Sequence, residues 1–354
     1  MTSWIDEARP VRAGEMPDTA RLESWLRDAV PGLDGNLEIN QFPSGYSNLT
    51  YLLCVGNRDL VLRRPPVGSK VKAAHDMARE FRVLEALHPV YHAAPRPLAC
   101  CDDPDVIGAP FYVMERIRGV ILRGRKPEGF TAAPELVRRC CDALIENLVR
   151  LHQVDYEAIG LGDLRREGQF TRRQVKGWID RYRASQTDDI PAVDDLAAWL
   201  DKYCPDDVGA VFIHNDYKFD NMVLDPEDMT RIIGVLDWEM CTIGDPLMDL
   251  GVALSYWNEP RDMNLGIVPC FLTLEPGALT RQQVAEAYAE HAGRDIENIL
   301  FYYVFGLFKL AVIAQQIYYR YKQGLTRDER FAPLIFVVGG LGMTGVNALE
   351  RDAI

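Results

Sequence analysis

The residues best suited to chemistry lie together in His214-Asn215-Asp216-Tyr217-Lys218-Phe219-Asp220-Asn221. Asp216 is a carboxylate that can take the proton of an attacking hydroxyl. Asn221, five residues later, offers an amide oxygen to a hard cation such as Mg²⁺. Lys218 lies between them and can meet the negative charge of a transferring phosphate. The spacing H-x-D-x-x-x-x-N is the order in which phosphoryl transfer uses these groups. A polar loop can fit the same spacing by chance, so the reading needs support from elsewhere in the chain.

Asp237 follows Asn221 by sixteen residues, at the exit of the apolar run Ile232 to Leu236. A carboxylate there is costly without an ionic partner. A metal ion bridging nucleotide phosphates is one such partner; capping of the next turn is the plainer alternative. Glu80 lies on or beside the apolar stripe Met77, Phe81, Leu84 and Leu87 of a helix expected over Ala73 to Leu87. It needs a cation, and Arg63, on the strand before that helix, is the candidate, with Arg64, Lys70 and Lys72 as other possibilities. A guanidinium can serve a carboxylate and a nucleotide phosphate with the same fork. Between two expected strands, Phe42 to Thr50 holds one glycine. Its backbone amides around Ser44 and Gly45, with the side chains of Ser47 and Asn48, can cover phosphates. In the extended Met114-Glu115-Arg116-Ile117, the Glu115 carbonyl and the Ile117 N–H are the pair placed to meet adenine.

The elements that must position these groups fall into two sets. An amphipathic helix is expected over Thr19 to Val30. Strand patterns follow at Leu37 to Val61, with Thr50–Val55 and Leu60–Leu62 joined by a turn at Gly56–Asp59 and stopped by Pro65-Pro66. Phe111–Met114 is a further strand after a Pro-rich loop. Helices then dominate: Glu135–His152, Gln174–Ala184 and Val193–Tyr203. A strand pair, Met222–Leu224 and Ile232–Leu236, turns at Asp225–Asp228. The fold class is α+β, with a small β-rich N-terminal lobe over 1–116 and a larger helical lobe over 117–354.

Composition narrows the partners. The formal net charge of −13 argues against bulk binding to nucleic acid or an anionic membrane. The first residues carry acids and no apolar run, so they do not read as a signal peptide. The most apolar stretch, Ile299 to Gln315, is interrupted by Lys309 and short of the ~20 residues a bilayer needs, so a buried helix is expected. Eight cysteines include the pairs Cys100-Cys101 and Cys140-Cys141, without metal-ligand spacing. Reduced thiols in the cytoplasm are expected.

Taken together, these segments resemble the aminoglycoside phosphotransferase-like kinase family from about Phe42 to Tyr321. More closely, the chain looks like the phosphotransferase-like domain that precedes some eukaryotic acyl-CoA dehydrogenases and its stand-alone bacterial relatives. The segments carrying the resemblance are Ser44 to Thr50, Leu62 to Pro66, Arg79-Glu80-Phe81, Phe111 to Glu115, His214 to Asn221, Leu236 to Glu239, and Gly244 to Leu250. The resemblance implies a protein-kinase-like fold, ATP or GTP as donor, Mg²⁺, and a hydroxyl as acceptor. Asp216 matches the catalytic Asp, and Asn221 and Asp237 match the metal ligands. Asn215 stands where the family often has Gly, and Arg63 where it usually has Lys. Asp237-Trp238-Glu239 replaces the Asp-Phe-Gly of protein kinases, with no Ala-Pro-Glu segment after it.

The expected substrates are a nucleotide and a small hydroxylated compound. The closer relatives suggest a hydroxyacyl compound, with a hydroxyacyl-CoA as one form; the basic segment Arg116 to Lys126 could meet a polyphosphate or simply be a solvated loop. An aminoglycoside acceptor would draw on Asp245, Asp249 and Glu259. A catalytically inactive nucleotide-binding regulator is the third reading, and Arg63 is its only support. The sequence leaves the oligomeric state open.

Overall fold

The computed structural model describes all of the 354 residues except 1–3, 44–47, 67–75, 125, 127, 264, 266–269 and 327. Two compact units account for the chain: Met1–Ile121 with Met222–Glu239, and Leu122–Asn221 with Met240–Ile354.

In the first unit the elements run β1 (Arg9–Pro10), α1 (Thr19–Ala29), β2 (Leu37–Gln41), β3 (Leu49–Val55), β4 (Arg58–Arg64), α2 (Met77–Leu87), β5 (Pro97–Cys101), α3 (Pro104–Ile107) and β6 (Phe111–Glu115). Six antiparallel strands form one sheet in the order β1-β2-β3-β4-β6-β5. The turn between β3 and β4 is tighter than its composition predicts. Val55 pairs with Arg58, leaving only Gly56 and Asn57 in the loop. Gly56 has φ +60, and a Cβ there would lie 2.1 Å from the Asp34 carbonyl oxygen, so only glycine fits. Strand β5 was expected as a Pro-rich loop. Pro97 is tolerated because it opens an edge strand, where one missing N–H costs little.

The period of two along β4 decides what its side chains can do. Leu60 and Leu62 face the core shared with Leu22 and Leu26 of α1, Tyr51, Phe111 and Val113. Arg63 has the opposite parity and takes the other face. Arg64 shares the parity of Leu62, and its guanidinium donates to the Ile107 carbonyl at 2.7 Å. Asp76 caps α2 by accepting from the Arg79 N–H at 2.9 Å. The helix begins at Met77, and 73–75 of its expected start lie outside the described residues.

The second unit opens with α4 (Pro134–His152), α5 (Phe170–Ser185), α6 (Pro191–Lys202) and β7 (Val211–Ile213). The chain then enters β8 (Met222–Leu224) and β9 (Ile232–Val235), a hairpin of the first unit tied to it by a bridge between Val120 and Leu224. The remainder is β10 (Thr242–Gly244), α7 (Pro246–Ser255), α8 (Arg281–Ala292), α9 (Ile299–Lys322) and α10 (Leu334–Arg351). β10 pairs with β7. Helices α7 and α9 cross closely: a Cβ on Gly251 would lie 2.3 Å from the Tyr302 carbonyl oxygen, and one on Gly306 would lie 2.5 Å from that of Gly251. This contact brings Lys309, one turn further along α9, beside the loop that leaves β7.

Helix α9 is longer than the apolar stretch that announces it, at 24 residues, and 78% of its most apolar window is buried. By length and composition α9 and Glu329–Arg351 are both long and apolar enough to cross a membrane, and 28% of the most apolar stretch of the latter is buried. None of the eight cysteines is in a disulfide; Cys101 is buried while its neighbour Cys100 is half-buried, as successive residues of a strand should be.

Candidate active site

The first unit gathers Asn48, Arg63, Glu80 and Asp237 around one guanidinium. Arg63 stands opposite Thr50 of β3 and Tyr112 of β6 and is 7% exposed. Its Nη1 lies 3.2 Å from Glu80 Oε1, and its Nη2 lies 2.8 Å from Asp237 Oδ1 and 3.5 Å from Glu239 Oε2. Glu80 is 1% exposed, so it belongs to the buried stripe of α2 rather than to its edge. The Arg63–Glu80 contact is Coulombic rather than an aligned hydrogen bond. Burial pushes the Glu80 carboxyl up, against the pull of Arg63. Burial also opposes the Arg63 charge, but Glu80, Tyr112, Asp237 and Glu239 outweigh it and hold the guanidinium firmly protonated.

Asp237 leaves β9 in the left-handed region, φ +70, which short polar residues tolerate better than others. Its ionic partner here is Arg63, which answers the cost of a carboxylate at that strand exit. Trp238 is buried and donates to the Val235 carbonyl at 2.8 Å, fixing the turn. Glu239 is a member of this group that spacing did not single out. It accepts from Asn48 Nδ2 at 2.6 Å, and its carbonyl accepts from Arg79 at 3.3 Å. Its only sequence signal is its place two residues after Asp237.

Other expected nucleotide contacts are distributed differently. Arg64 is excluded as the Glu80 partner by its face, and Lys70 and Lys72 lie outside the described residues, as do Ser44, Gly45 and Ser47. Glu115 ends β6, its side chain 3.3 Å from Arg96 on the surface. Ile117 packs on Gly234, where a Cβ would lie 2.8 Å from its Cδ1. The basic segment beyond it is not a solvated loop throughout. The Arg116 side chain is buried and pairs with Asp59 at 2.9 Å and Glu7 at 3.1 Å. Lys126 pairs with Glu275 at 2.7 Å.

In the second unit, β7 delivers the loop His214–Asn221, and α7 holds its backbone. Asp249, fully buried, accepts from the N–H of His214 at 2.8 Å and of Asn215 at 2.6 Å. His152 lies 3.2 Å from the same carboxylate and 2.8 Å from the Tyr288 hydroxyl. Burial works against the Asp249 charge, yet His152 and the loop amides hold its carboxyl below the usual range. Asn215 has φ +67, which gives a physical reason for the family's glycine at this position: both residues accept the left-handed backbone.

Asp216 receives three side chains. Tyr256 donates to Oδ1 at 2.8 Å, Asn221 Nδ2 donates to Oδ2 at 3.0 Å, and Lys218 Nζ lies 3.1 Å from Oδ2. The Asp216 N–H donates to His214 Nδ1 at 3.2 Å. With its amide nitrogen committed to Asp216, Asn221 has its carbonyl oxygen as the atom able to meet a cation. The Lys218 ammonium also lies 4.5 Å from the centre of the Tyr256 ring. Tyr256, one residue past α7, was missed because nothing in its local sequence ties it to a loop forty residues earlier.

A phosphotransferase enzyme family model matches residues 38–295, a span that includes both groups. The chain belongs to the phosphotransferase enzyme family. Acyl-CoA dehydrogenase family member 11 of Rattus norvegicus is 34% identical over 341 residues, covering 94% of this chain. The chain spans only 43% of that relative's length. A crystal structure from Ralstonia eutropha JMP134, provisionally described as an aminoglycoside phosphotransferase, is 30% identical with a TM-score of 0.79, covering 95% of this chain and 99% of the other. Choline kinase of Cryptosporidium parvum shares the fold at 13% identity and a TM-score of 0.64, over 95% and 97% of the two chains. The family's α+β, protein-kinase-like fold is thus the fold of this chain. Among the described residues no cluster of three His, Cys, Asp or Glu side chains is disposed to hold a metal by itself.

The three acids an aminoglycoside would need are committed elsewhere. Asp245 caps α7, accepting from Leu247 N–H at 2.8 Å, and Asp249 holds the loop. Glu259 accepts from the Arg281 N–H at 2.7 Å and pairs with Arg261 at 2.8 Å.

Proposed function

We propose that the chain is a small-molecule kinase, transferring the γ-phosphate of ATP or GTP to a hydroxyl. The observation that carries this reading is the Asp216 carboxylate, held by Tyr256 and Asn221 with the Lys218 ammonium 3.1 Å away. Such a carboxylate is oriented to accept a proton, and the lysine beside it suits the charge of a phosphate in flight. Arg63 takes the role of the phosphate-binding cation, oriented by Glu80.

The donor set suits Mg²⁺, which prefers oxygen, binds few protein ligands and relies on nucleotide phosphates for others. Asp237 and Asn221 keep the ligand roles that the family pattern implies. When bound, the ion would neutralise phosphate charge. Ser44, Gly45, Ser47 and Asn48 keep the phosphate-covering role, and Glu115 and Ile117 the adenine role.

For the acceptor we propose a hydroxyacyl compound, on the strength of the likeness to an acyl-CoA dehydrogenase family member. A cytoplasmic setting goes with this reading, and eight cysteines outside any disulfide suit it. The test is ATP consumption with Mg²⁺ against panels of hydroxyacyl-CoA esters, free hydroxy acids and aminoglycosides. Transfer to the first two groups supports the proposal. Transfer to aminoglycosides alone overturns the acceptor, and Mg²⁺-dependent binding without transfer to any acceptor makes the chain a nucleotide-binding regulator.

A further inference from the structure

We propose that Lys309 is a positioning residue for the Asp216 base, acting on the catalytic loop from the middle of α9. The inference deepens the kinase reading and rests on it for the role of Asp216.

Lys309 is the single charged residue between Ile299 and Gln315, and it is 1% exposed. A buried ammonium is strongly disfavoured unless its protons are satisfied. Here two of them go to one residue: Nζ donates to the Asn215 carbonyl at 2.6 Å and to Asn215 Oδ1 at 2.9 Å. The Trp178 ring lies on a further side, its centre 5.6 Å away. Asn215 is the loop residue with left-handed backbone, immediately before Asp216. Its N–H is held by Asp249, its carbonyl and side-chain oxygen by Lys309, and its Nδ2 donates to the Met240 carbonyl at 3.3 Å.

The carbonyl that Lys309 holds belongs to the peptide joining Asn215 to Asp216. The other end of that peptide, the Asp216 N–H, is held by His214. Fixing both ends sets the plane from which the Asp216 side chain departs. Position at this point matters because small misplacements of a reacting group cost rate steeply. Lys309 also places a positive charge behind the loop. The charged groups facing it are Asp216 and Lys218 from the loop, Asp249 from α7 and Arg181 from α5. Burial lowers the Lys309 pKa to about 8, with the two aspartates acting against that fall. The charge on the loop is therefore present at neutral pH and lost as the pH rises past 8.

Lys309→Met keeps the side-chain length and removes the donor and charge; circular dichroism and a melting curve establish that it folds. The first readout needs no nucleotide: hydrogen–deuterium exchange of the peptide covering Ile213–Asn221. Exchange there should rise at least tenfold in Lys309→Met, and α8 should be unchanged. In the parent chain, exchange of the same peptide should rise between pH 7 and 9 by more than base catalysis explains, which tests the idea even if the variant fails to fold. The second readout is Mg²⁺-ATP turnover. The variant should lose at least tenfold in rate and lack the parent's decline past pH 8, with its Kd for ATP within twofold. Unchanged loop exchange in the variant, or in the parent across that pH range, would overturn the proposal. So would a loss of ATP affinity in step with the rate. If the parent turns over no nucleotide with any acceptor, the kinase reading falls, while exchange still decides whether Lys309 holds the loop.

Discussion

Arg63 Nη2 lies 2.8 Å from Asp237 Oδ1, so the cation proposed for nucleotide phosphate is joined to the carboxylate proposed for the metal. Nucleotide phosphate at Arg63 and metal at Asp237 would each have to displace this ion pair, so binding of one should assist the other. Asp237→Ala is expected to remove the Mg²⁺-dependent part of ATP binding while leaving metal-free binding intact or stronger, because Arg63 loses a competitor. Calorimetry with and without Mg²⁺ measures both. Equal metal dependence in parent and variant would defeat the assignment.

Arg63 and Glu80 should be energetically coupled. Arg63→Ala leaves Glu80 buried without its cation, which commonly costs about 3–5 kcal/mol of stability, whereas Glu80→Ala costs less because Asp237 and Glu239 still face the guanidinium. Arg63→Ala should weaken ATP binding directly, and Glu80→Ala should weaken it by freeing Arg63 to turn toward Asp237 and Glu239. The two losses should be less than additive in a double-mutant cycle of ATP affinity. Arg63→Lys keeps charge without the fork, and partial activity is expected. Full additivity would mean that the 3.2 Å contact does not position the guanidinium.

Asp216→Asn should leave nucleotide binding nearly unchanged and lower turnover by about 10²–10⁴. Tyr256→Phe removes one hydrogen bond to the same carboxylate. Such a bond to a charged group is worth about 1.5–3 kcal/mol, or roughly 10- to 150-fold in rate if it is made in the transition state. Steady-state kinetics on the identified acceptor separates the cases. A Tyr256→Phe variant with a raised KM and unchanged kcat would place Tyr256 in substrate binding instead.

Asp249 gives a prediction about pH. Its carboxyl is held below its ordinary value of 3.8, so the folded state favours the ionised form. That stabilisation is fully present above the unfolded value and is lost as the pH falls through the lower folded one. Asp249→Asn should therefore melt below the parent at pH 7, with a gap that closes only under about pH 4. Melting curves between pH 3 and 7 test this. A gap that closes well above pH 4 would overturn the assignment to Asp249.

The local sequence was enough to determine the elements with strong periods and the residues whose spacing is local. Asp216, Lys218 and Asn221 lie within six residues, so their grouping needed only one loop. The choice between Arg63 and Arg64 as the partner of Glu80 stayed open in the sequence, and the structure decided it by turning Arg63 toward Glu80 and Arg64 toward the Ile107 carbonyl. Tertiary structure decided everything that depends on distant chain segments. Glu239 meets Asn48 across 191 positions, and Lys309 meets Asn215 across 94. Tyr256 read as an ordinary tyrosine after an apolar helix, and Lys309 as an interruption of one. No local pattern encodes such meetings, because side chains far apart in sequence are brought together by helix and sheet packing. The reason a charge survives inside α9 therefore lies in the loop it touches.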